Sequence, residues 1–505
     1  MSLDELVLLI QRLLDRAIRR LRLGRAPLPG GRRFLIVQID GLSQSVFEQG
    51  LAEGRLPFVR RLLTRHGYRM EPMAVGLPSS TPAFQLSAMY GVRPDIPGFH
   101  YHDKRRRSDV YFPRGGDAAW VEHTQADGRR GILEGGSAYG CVFTGGAVNN
   151  LWSFAMLKRP TAQGVVRAFS AVVVLAWVVV KASMLTIIEL ARAVLRVVAN
   201  PVGETRRGWK WLAIKVGVSV WVRQLFTLAV ARDLYAGVPA IYVNYLDYDV
   251  FAYDLYVLSD HGQLHCIPYV QLLGRGLERV LIEEFFEPAG AHVVSPEAPH
   301  GRRLARGIKA TRSRRAPGMW QRFVNYLEQD FPSLLGELPE AHEHDGVRVI
   351  GAGPNAFVYF LETADALGLE WIDQRWPGLA DDISRSRGVG FVLVRSASGP
   401  VCITQGKRHR LDRNDAGPFG ARPDRSAVLT YVRDLMAMPS AGDLVIYGHD
   451  SPDGNVSYVA EIGAHAGPST DELYTFVVCR RDIELPRPIT HPVELYPHFL
   501  GYRAA

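Results

Sequence analysis

A chain of 505 residues, 47% apolar and 22% charged, has ample material for a large core, which excludes intrinsic disorder as its overall state. Its four cysteines, Cys141, Cys266, Cys402 and Cys479, stand far apart with no CxxC pair; this excludes a zinc ribbon and a disulfide-stapled module and leaves reduced core thiols. The net charge of +8, gathered in runs such as Lys104–Arg107 and Arg312–Arg315, suits either an anionic partner or a solvated basic surface, and with no nucleic-acid-binding signature beside it no nucleic-acid partner is expected.

In chain order, residues 1–27 read as an amphipathic helix. Leu3, Val7, Ile10, Leu14, Ala17 and Leu21 recur at helical spacing against a cationic face of Arg12, Arg16, Arg19, Arg20 and Arg22. Docking on a membrane surface and packing against the main body of the chain or a partner helix both fit that pattern. After a Pro/Gly linker around Pro27–Gly31, RFLIVQID is a short apolar run ending in an acid, the pattern of a buried strand that delivers Asp40 at its C-terminal end. A helix is predicted over about Leu56–His66, a strand near Arg69–Val75, and a Pro/Ser turn opening a further helix near Thr81. IYVNYLD, DLYVLSD, FVYFL, GFVLVRS and DLVIYG repeat the strand pattern later. The expected fold is α/β: one central, mostly parallel sheet with helices on both faces, its ligands gathered beyond the carboxyl ends of the strands.

One α/β body is thus expected in two parts, 32–160 and 237–505, with an apolar insertion at 161–236. The first half of the insertion, AFSAVVVLAWVVVKASMLTII, has one charge, Lys181, in about the length that crosses a bilayer core. The second half carries Lys210, Lys215 and Arg223 and is a poorer spanning segment, and Asn200, Pro201 and Gly203 make a turn between the two. Arg206 and Arg207 near that turn disfavour its crossing a membrane. A helical hairpin lying in the interface, or re-entrant, is the preferred reading, ahead of a spanning pair and a buried pair. The expected location is membrane-associated, at a bacterial inner membrane facing the cytoplasm.

Acids and histidines stand at the ends of several apolar runs: Asp40 in VQIDG, Asp249 in NYLDYDVF, Asp260 and His261 in VLSDHGQ, and His465 in EIGAHAGPS. A lone Asp in such a place is more often a cap or turn residue. Together they form a ligand set suited to Zn²⁺ or Mn²⁺, and a pair of such ions clamps the attacking and departing oxygens of phosphoryl transfer. Asp260 and His261 can face one ion only from an irregular turn, because neighbours on a regular strand point to opposite faces, and Gly262 suits such a turn.

The order VQIDG, LPSSTPAFQLSAMYGVRPDIPGF, NYLDYDVF, LSDHG, GAHAGPS resembles the type I phosphodiesterase/nucleotide pyrophosphatase family of the alkaline phosphatase superfamily, over about Arg33–Gly98 and Ile241–Gly467. The resemblance implies an alkaline-phosphatase-like fold in which Asp40, Thr81, Asp260 and His261 hold one divalent metal while Asp249 and His465 belong to a second. Zinc is the first choice, with Mn²⁺ or Mg²⁺ as alternatives, and one or two ions. It implies Thr81 as nucleophile in preference to Ser79 and Ser80, since Gly91, Pro94 and Gly98 align with the family when Thr81 takes the reacting position. The same segment reads locally as a Ser/Thr cap with Pro82 in the first helical turn. Two departures stand out. Tyr253 occupies the place of a family histidine, with only ten residues between Asp249 and Asp260, and Phe84 replaces a phosphate-binding Asn.

His100 and His102 share a strand face and are read as rim residues, with the missing ligand or a phosphate contact as the alternative; His449 and Asp450 are treated alike. Thr144 in FTGGA lacks an activating neighbour in sequence and is read as structural. No cysteine stands in a C-x-P-x-R context, which disfavours a sulfatase. The expected function is metal-dependent hydrolysis of a phosphomonoester or phosphodiester, on a small-molecule or lipid-linked phosphate, with work at a membrane suggested by the apolar hairpin and basic helix. The alternatives are a catalytically silent membrane scaffold of the same fold that has lost the second metal site, and a phosphotransferase or mutase of the same superfamily.

Overall fold

The strand that ends near Asp40 is the axis of the structure. In the computed structural model, Phe34–Gln38 (β1) is buried at all five positions, as a strand covered on both faces must be. The structure describes residues 32–151, 237–244, 253–287, 342–412 and 415–502, together with 183, 186, 229, 230, 233 and 234. The amphipathic segment 1–27, nearly all of the insertion 161–236, Asp249 and Arg312–Arg315 lie outside the described residues. No helix among the described residues is long and apolar enough to cross a membrane.

Tyr68–Ala74 (β2), the hairpin strands His100–Asp103 (β3) and Ser108–Tyr111 (β4), Ser137–Tyr139 (β5), Asn149–Leu151 (β6), Ala240–Asn244 (β7) and Asp254–Leu258 (β8) follow in the chain. Between them run helices Gln44–Ala52 (α1), Pro57–Arg65 (α2), Thr81–Tyr90 (α3) and Gly115–Gln125 (α4). β1 pairs in parallel with β7 on one side and β8 on the other, and β5 and β6 extend the parallel set beyond β7. A late strand, Tyr474–Arg480, runs antiparallel to β8, and β2 closes that edge antiparallel to it. The result is a seven-stranded, mostly parallel sheet inside a mixed α/β fold.

Alternation along β1 builds the two layers. Leu35 and Val37 face α1 and α2 through Phe47, Val59 and Leu62, where Phe47 stacks on Phe476 at 3.7 Å between ring centroids. Phe34 and Ile36 face the opposite core, which holds Leu86 and Met89 of α3. All four cysteines are free and buried, as their spacing implied.

The later runs depart from expectation. FVYFL, GFVLVRS and DLVIYG are strands, Asn355–Phe360 (β11), Phe391–Val394 (β12) and Leu444–Tyr447 (β15), but they belong to a second sheet in which every pairing is antiparallel. Its other members are His342–His344 (β9), Val347–Gly351 (β10), Val401–Thr404 (β13) and Lys407–His409 (β14). For β10 and β11 the reason is connection length: residues 352–354 join them, which permits a hairpin but no parallel crossover. β11 is buried along its whole length, so its residue pattern matches that of a parallel core strand and conceals the direction of pairing.

The β3–β4 hairpin is tied to this second sheet by buried charge. Lys104 Nζ lies 3.1 Å from Asp443 Oδ2, and that carboxylate also accepts from the Phe360 and Leu367 amides at 2.7 Å. Lys104 is therefore no part of a solvated basic run. Nor are His100 and His102 rim residues, since both are buried. His102 Nδ1 donates to Asp109 Oδ1 at 2.8 Å, and Arg348 of β10 donates to the other oxygen of the same carboxylate. Burial alone would raise the Asp109 pKa, but the His102 hydrogen bond and the Arg348 charge outweigh it and hold it at about 2.

A depressed carboxyl contributes stability that is fully present above its unfolded pKa of 3.8 and is lost as pH falls through about 2. At 1.36 kcal/mol per pKa unit the contribution is about 2 kcal/mol. Denaturant titrations of the wild type and Asp109→Asn are expected to show a stability gap that is constant above about pH 4 and narrows from there toward pH 2. A gap that does not change with pH would contradict this assignment.

Candidate active site

β1 and β8 are parallel neighbours with Gln38 opposite Leu258, so Asp40 and Asp260, each two residues further on, leave the sheet together at its C-terminal rim. Irregular turns then take over. Ser259 Oγ accepts from the Leu42 amide at 3.0 Å and donates to the His261 carbonyl at 2.9 Å, while the Gly41 amide donates to Asp260 Oδ1 at 3.4 Å. This clasp turns Asp260 and His261 to the same side, which a continuing strand would not do. Gly262 is required by close approach: a Cβ there would lie 1.7 Å from the Asp471 carbonyl oxygen and 2.7 Å from Ser43 Cβ. Gly262→Ala is expected to displace the turn, cost about 3 kcal/mol in urea unfolding and weaken divalent-metal binding. Wild-type behaviour in both measurements would show that the turn can relax without disturbing the site.

α3 starts at Thr81, with Ser80 at the N-cap in extended conformation and Pro82 in the first turn, and the helix is buried along nearly its whole length. It points the Thr81 hydroxyl at the rim. Thr81 Oγ1 donates to Asp260 Oδ2 at 2.6 Å and lies 3.1 Å from His261 Nε2. That nitrogen is 3.6 Å from Asp40 Oδ1 and 3.5 Å from Asp260 Oδ2. Asp40, Asp260 and His261 each offer a ligand atom, all within 4.8 Å of one another. Asp260 and His261 are fully buried, whereas the Asp40 side chain is 35% exposed and opens the cluster to solvent.

The donor set suits a divalent cation. His261 Nδ1 lies 2.9 Å from the Gly262 carbonyl oxygen, and an N–H donated there leaves Nε2 a lone pair facing the cluster. Two carboxylates, a hydroxyl oxygen and that lone pair then converge, an arrangement that needs a proton or a cation among them. Burial first, with Asp40 in support and His261 opposing, lifts the Asp260 carboxyl to about 6. His261 would be pushed down by burial, but Asp260 and Asp40 raise it.

His465 lies beside this group, its ring stacked on that of His261 at 3.9 Å and 18°, with Nδ1 3.2 Å from the Ser79 carbonyl oxygen. Burial and the neighbouring His261 hold its pKa well below the ordinary value, so it is neutral. Ser79 is a latch: Oγ donates to the Gly467 carbonyl at 3.0 Å and accepts from the Ala466 amide at 3.2 Å, tying the segment before α3 to the one that carries His465. Ser80 Oγ is buried with no hydrogen-bond partner among the described residues. Of the three hydroxyls, only that of Thr81 reaches the acidic cluster.

Asp249 lies outside the described residues, although β7, which leads toward it, pairs with β1 so that Asn244 stands opposite Gln38. Tyr253 is at the far rim. It directly precedes β8, and its hydroxyl donates to the Val238 carbonyl at 2.7 Å, at the N-terminal end of β7. A strand length separates it from the cluster, so its position supplies no ligand. His100 and His102 supply none either, their carboxylate partner being Asp109. His449 pairs with its neighbour Asp450 at 3.1 Å. Thr144 donates to Glu122 at 2.9 Å, and the same carboxylate oxygen accepts from the Thr144 and Gly145 amides, which accounts for the FTGGA turn as structure.

The sequence assigned no role to Ser259, although it stands inside the quoted LSDHG, or to a set of buried amides beneath the cluster. The amides left one visible mark, Gln38 inside an otherwise apolar strand.

Fold and site together define a mixed α/β protein whose parallel sheet carries, at its C-terminal rim, a helix-start hydroxyl facing carboxylates and an imidazole. No family model and no curated protein matches the chain. Among solved structures it is similar to phosphonoacetate hydrolase from Sinorhizobium meliloti 1021 in complex with phosphonoformate, at 12% identity over 94% of this chain and 97% of that one, with a TM-score of 0.37. It is likewise similar to the same hydrolase in complex with phosphonoacetate, again at 12% identity, 94% and 97% coverage, with a TM-score of 0.39. These are loose likenesses, and the functional reading rests on the geometry of the site.

Proposed function

We propose that the chain is a metal-dependent phosphoester hydrolase that uses Thr81 as nucleophile. The supporting observation is the Thr81 hydroxyl held 2.6 Å from Asp260 and 3.1 Å from His261 in a cluster completed by Asp40. Asp40, Thr81, Asp260 and His261 would hold one divalent ion, zinc first and Mn²⁺ or Mg²⁺ as alternatives, and a bound ion would make the hydroxyl acidic and offset phosphoryl charge. The chain's own residues do the rest. Asp260 Oδ2 takes the hydroxyl hydrogen bond and so aims a lone pair of Oγ1 outward, and the positive end of the α3 dipole favours an anion in front of it. Attack forms the Oγ1–phosphorus bond as the bond to the leaving oxygen breaks, the hydroxyl proton passing along its hydrogen bond to Asp260; water then cleaves the Oγ1–phosphorus bond, its oxygen going to phosphorus and a proton returning to Oγ1.

Asp249 and His465 belong, in this reading, to a second half-site. The substrate class is a phosphomonoester or phosphodiester, small or lipid-linked. The apolar and cationic composition of 161–236 and 1–27 supports work at a membrane, in a bacterial cell the inner membrane on its cytoplasmic side. Partitioning into the soluble fraction without detergent would remove that element.

The second reading, a catalytically silent scaffold, is favoured by one observation: residues 245–253 connect β7 to β8, fewer than the dozen or so of a helical crossover, and the chain reaches the far rim with Tyr253. Metal content together with turnover of bis-p-nitrophenyl phosphate and p-nitrophenyl phosphate separates the two. Metal-dependent turnover supports the hydrolase; full metal binding with no turnover of either ester supports the scaffold.

A further inference from the structure

Beneath the cluster lies a polar network that the mechanism above leaves unused. Gln38, Gln85 and Tyr242 are fully buried. The Val142 amide donates to Gln85 Oε1 at 2.8 Å, Gln85 Nε2 donates to Gln38 Oε1 at 3.2 Å, and the Tyr242 hydroxyl donates to the same Gln38 oxygen at 2.6 Å. A backbone N–H can only donate, so the Val142 amide fixes which end of Gln85 is oxygen, and the Gln85 NH₂ then fixes Gln38. The orientation of both amides follows from the chain of bonds.

The location of this bridge is its significance. Gln85 is one helical turn after Thr81, on the same face of α3. Gln38 is the last residue of β1, two before Asp40, and the ladder still holds at Ile39, whose amide donates to the Leu258 carbonyl at 2.8 Å. The amide pair therefore joins the helix that carries the hydroxyl to the strand that carries a carboxylate, one turn below both. Apolar contacts between α3 and β1 are non-directional and would tolerate sliding, whereas a hydrogen bond between two buried amides specifies one height.

We infer that Gln85 and Gln38 are positioning residues: their amide bridge sets the height of α3 on β1 and so the distance of the Thr81 hydroxyl from Asp40, Asp260 and His261. This rests on the hydrolase reading for its catalytic readout. A misplacement of about 1 Å costs about a hundredfold in rate where reacting groups must be aligned.

Two variants of the full-length chain test the bridge. Gln85→Leu removes both hydrogen bonds of Gln85. Gln85→Glu retains a carbonyl oxygen for the Val142 amide and, while neutral, an O–H for Gln38; once ionised it has nothing to donate. Burial raises the introduced carboxyl toward the assay range. At saturating Zn²⁺ and on folded protein, Gln85→Leu is expected to lose about a hundredfold in kcat for bis-p-nitrophenyl phosphate with KM changed less than about threefold. Its Zn²⁺ affinity by calorimetry is expected to fall about tenfold. Gln85→Glu is expected to approach wild type near pH 6 and to fall relative to wild type as pH rises, in both kcat and Zn²⁺ affinity. A purely structural role would lower the melting temperature without that pH-dependent ratio.

Overturning results are kcat and Zn²⁺ affinity of Gln85→Leu within threefold of wild type, or a Gln85→Glu to wild-type ratio that is flat with pH. If the wild type binds Zn²⁺ but turns over no ester, the hydrolase reading fails, and the bridge is then decided by Zn²⁺ affinity alone: equal affinities in wild type and Gln85→Leu overturn it.

Discussion

Thr81→Ala is expected to lower kcat for bis-p-nitrophenyl phosphate by about a thousandfold or more, while the protein stays folded and, at saturating Zn²⁺, remains loaded through Asp40, Asp260 and His261. The reason is geometric. Of the neighbouring hydroxyls at 79, 80 and 81, that of Thr81 reaches the cluster; Ser79 is committed to Gly467 and Ala466, and neither Ser79 nor Ser80 can replace it at Asp260 without unwinding the start of α3. Thr81→Ser keeps the oxygen and should retain much of the activity, losing only the methyl group that restricts its rotamer. The measurement is steady-state turnover at saturating Zn²⁺, with single-turnover trapping of a phosphorylated chain as a second readout. Equal turnover in wild type and Thr81→Ala would remove the nucleophile and the mechanism with it.

The second large effect concerns the metal. Asp260→Asn is expected to weaken Zn²⁺ binding by about a hundredfold or more, since it deletes a fully buried anionic ligand whose other oxygen is held by Gly41. The sign of the stability change distinguishes a ligand from a structural carboxylate. Without metal, burial and the facing Asp40 carboxylate disfavour the Asp260 charge by more than His261 favours it, so the variant should melt no lower than wild type in EDTA. With Zn²⁺ at about a hundred times its dissociation constant, the wild type gains about 2.7 kcal/mol and the variant gains almost nothing. Melting curves with and without ZnCl₂ make the comparison. A metal-induced shift of equal size in both proteins would show that Asp260 is no ligand.

Legibility differed from residue to residue for physical reasons. Asp40 and Asp260 could be read because a buried parallel strand is a run of apolar residues and its carboxyl end is where polarity returns. Thr81 could be read because helix starts carry local chemistry of hydroxyl and proline. His100 and His102 misled because a histidine on a strand face looks alike whether it meets water or a buried carboxylate, and the deciding partners, Asp109 and Arg348, stand on other strands. Tyr253 was legible as a departure, a tyrosine where the resemblance implies a histidine four residues after Asp249, and the structure adds the reason, since the chain has already reached the start of β8 there.

What the amino-acid order determined by itself was local: where strands and helices fall, where each ends, and that acids, histidines and a threonine occupy those ends. Only the tertiary structure decided which ends meet. Strand direction, register and the amide bridge from Gln85 to Gln38 join residues tens to hundreds of positions apart, and no periodicity along the chain encodes such a distance. Pairing in the second sheet was hidden for the same reason, since strands buried on both faces show one apolar pattern in either direction and connection length and packing choose between them.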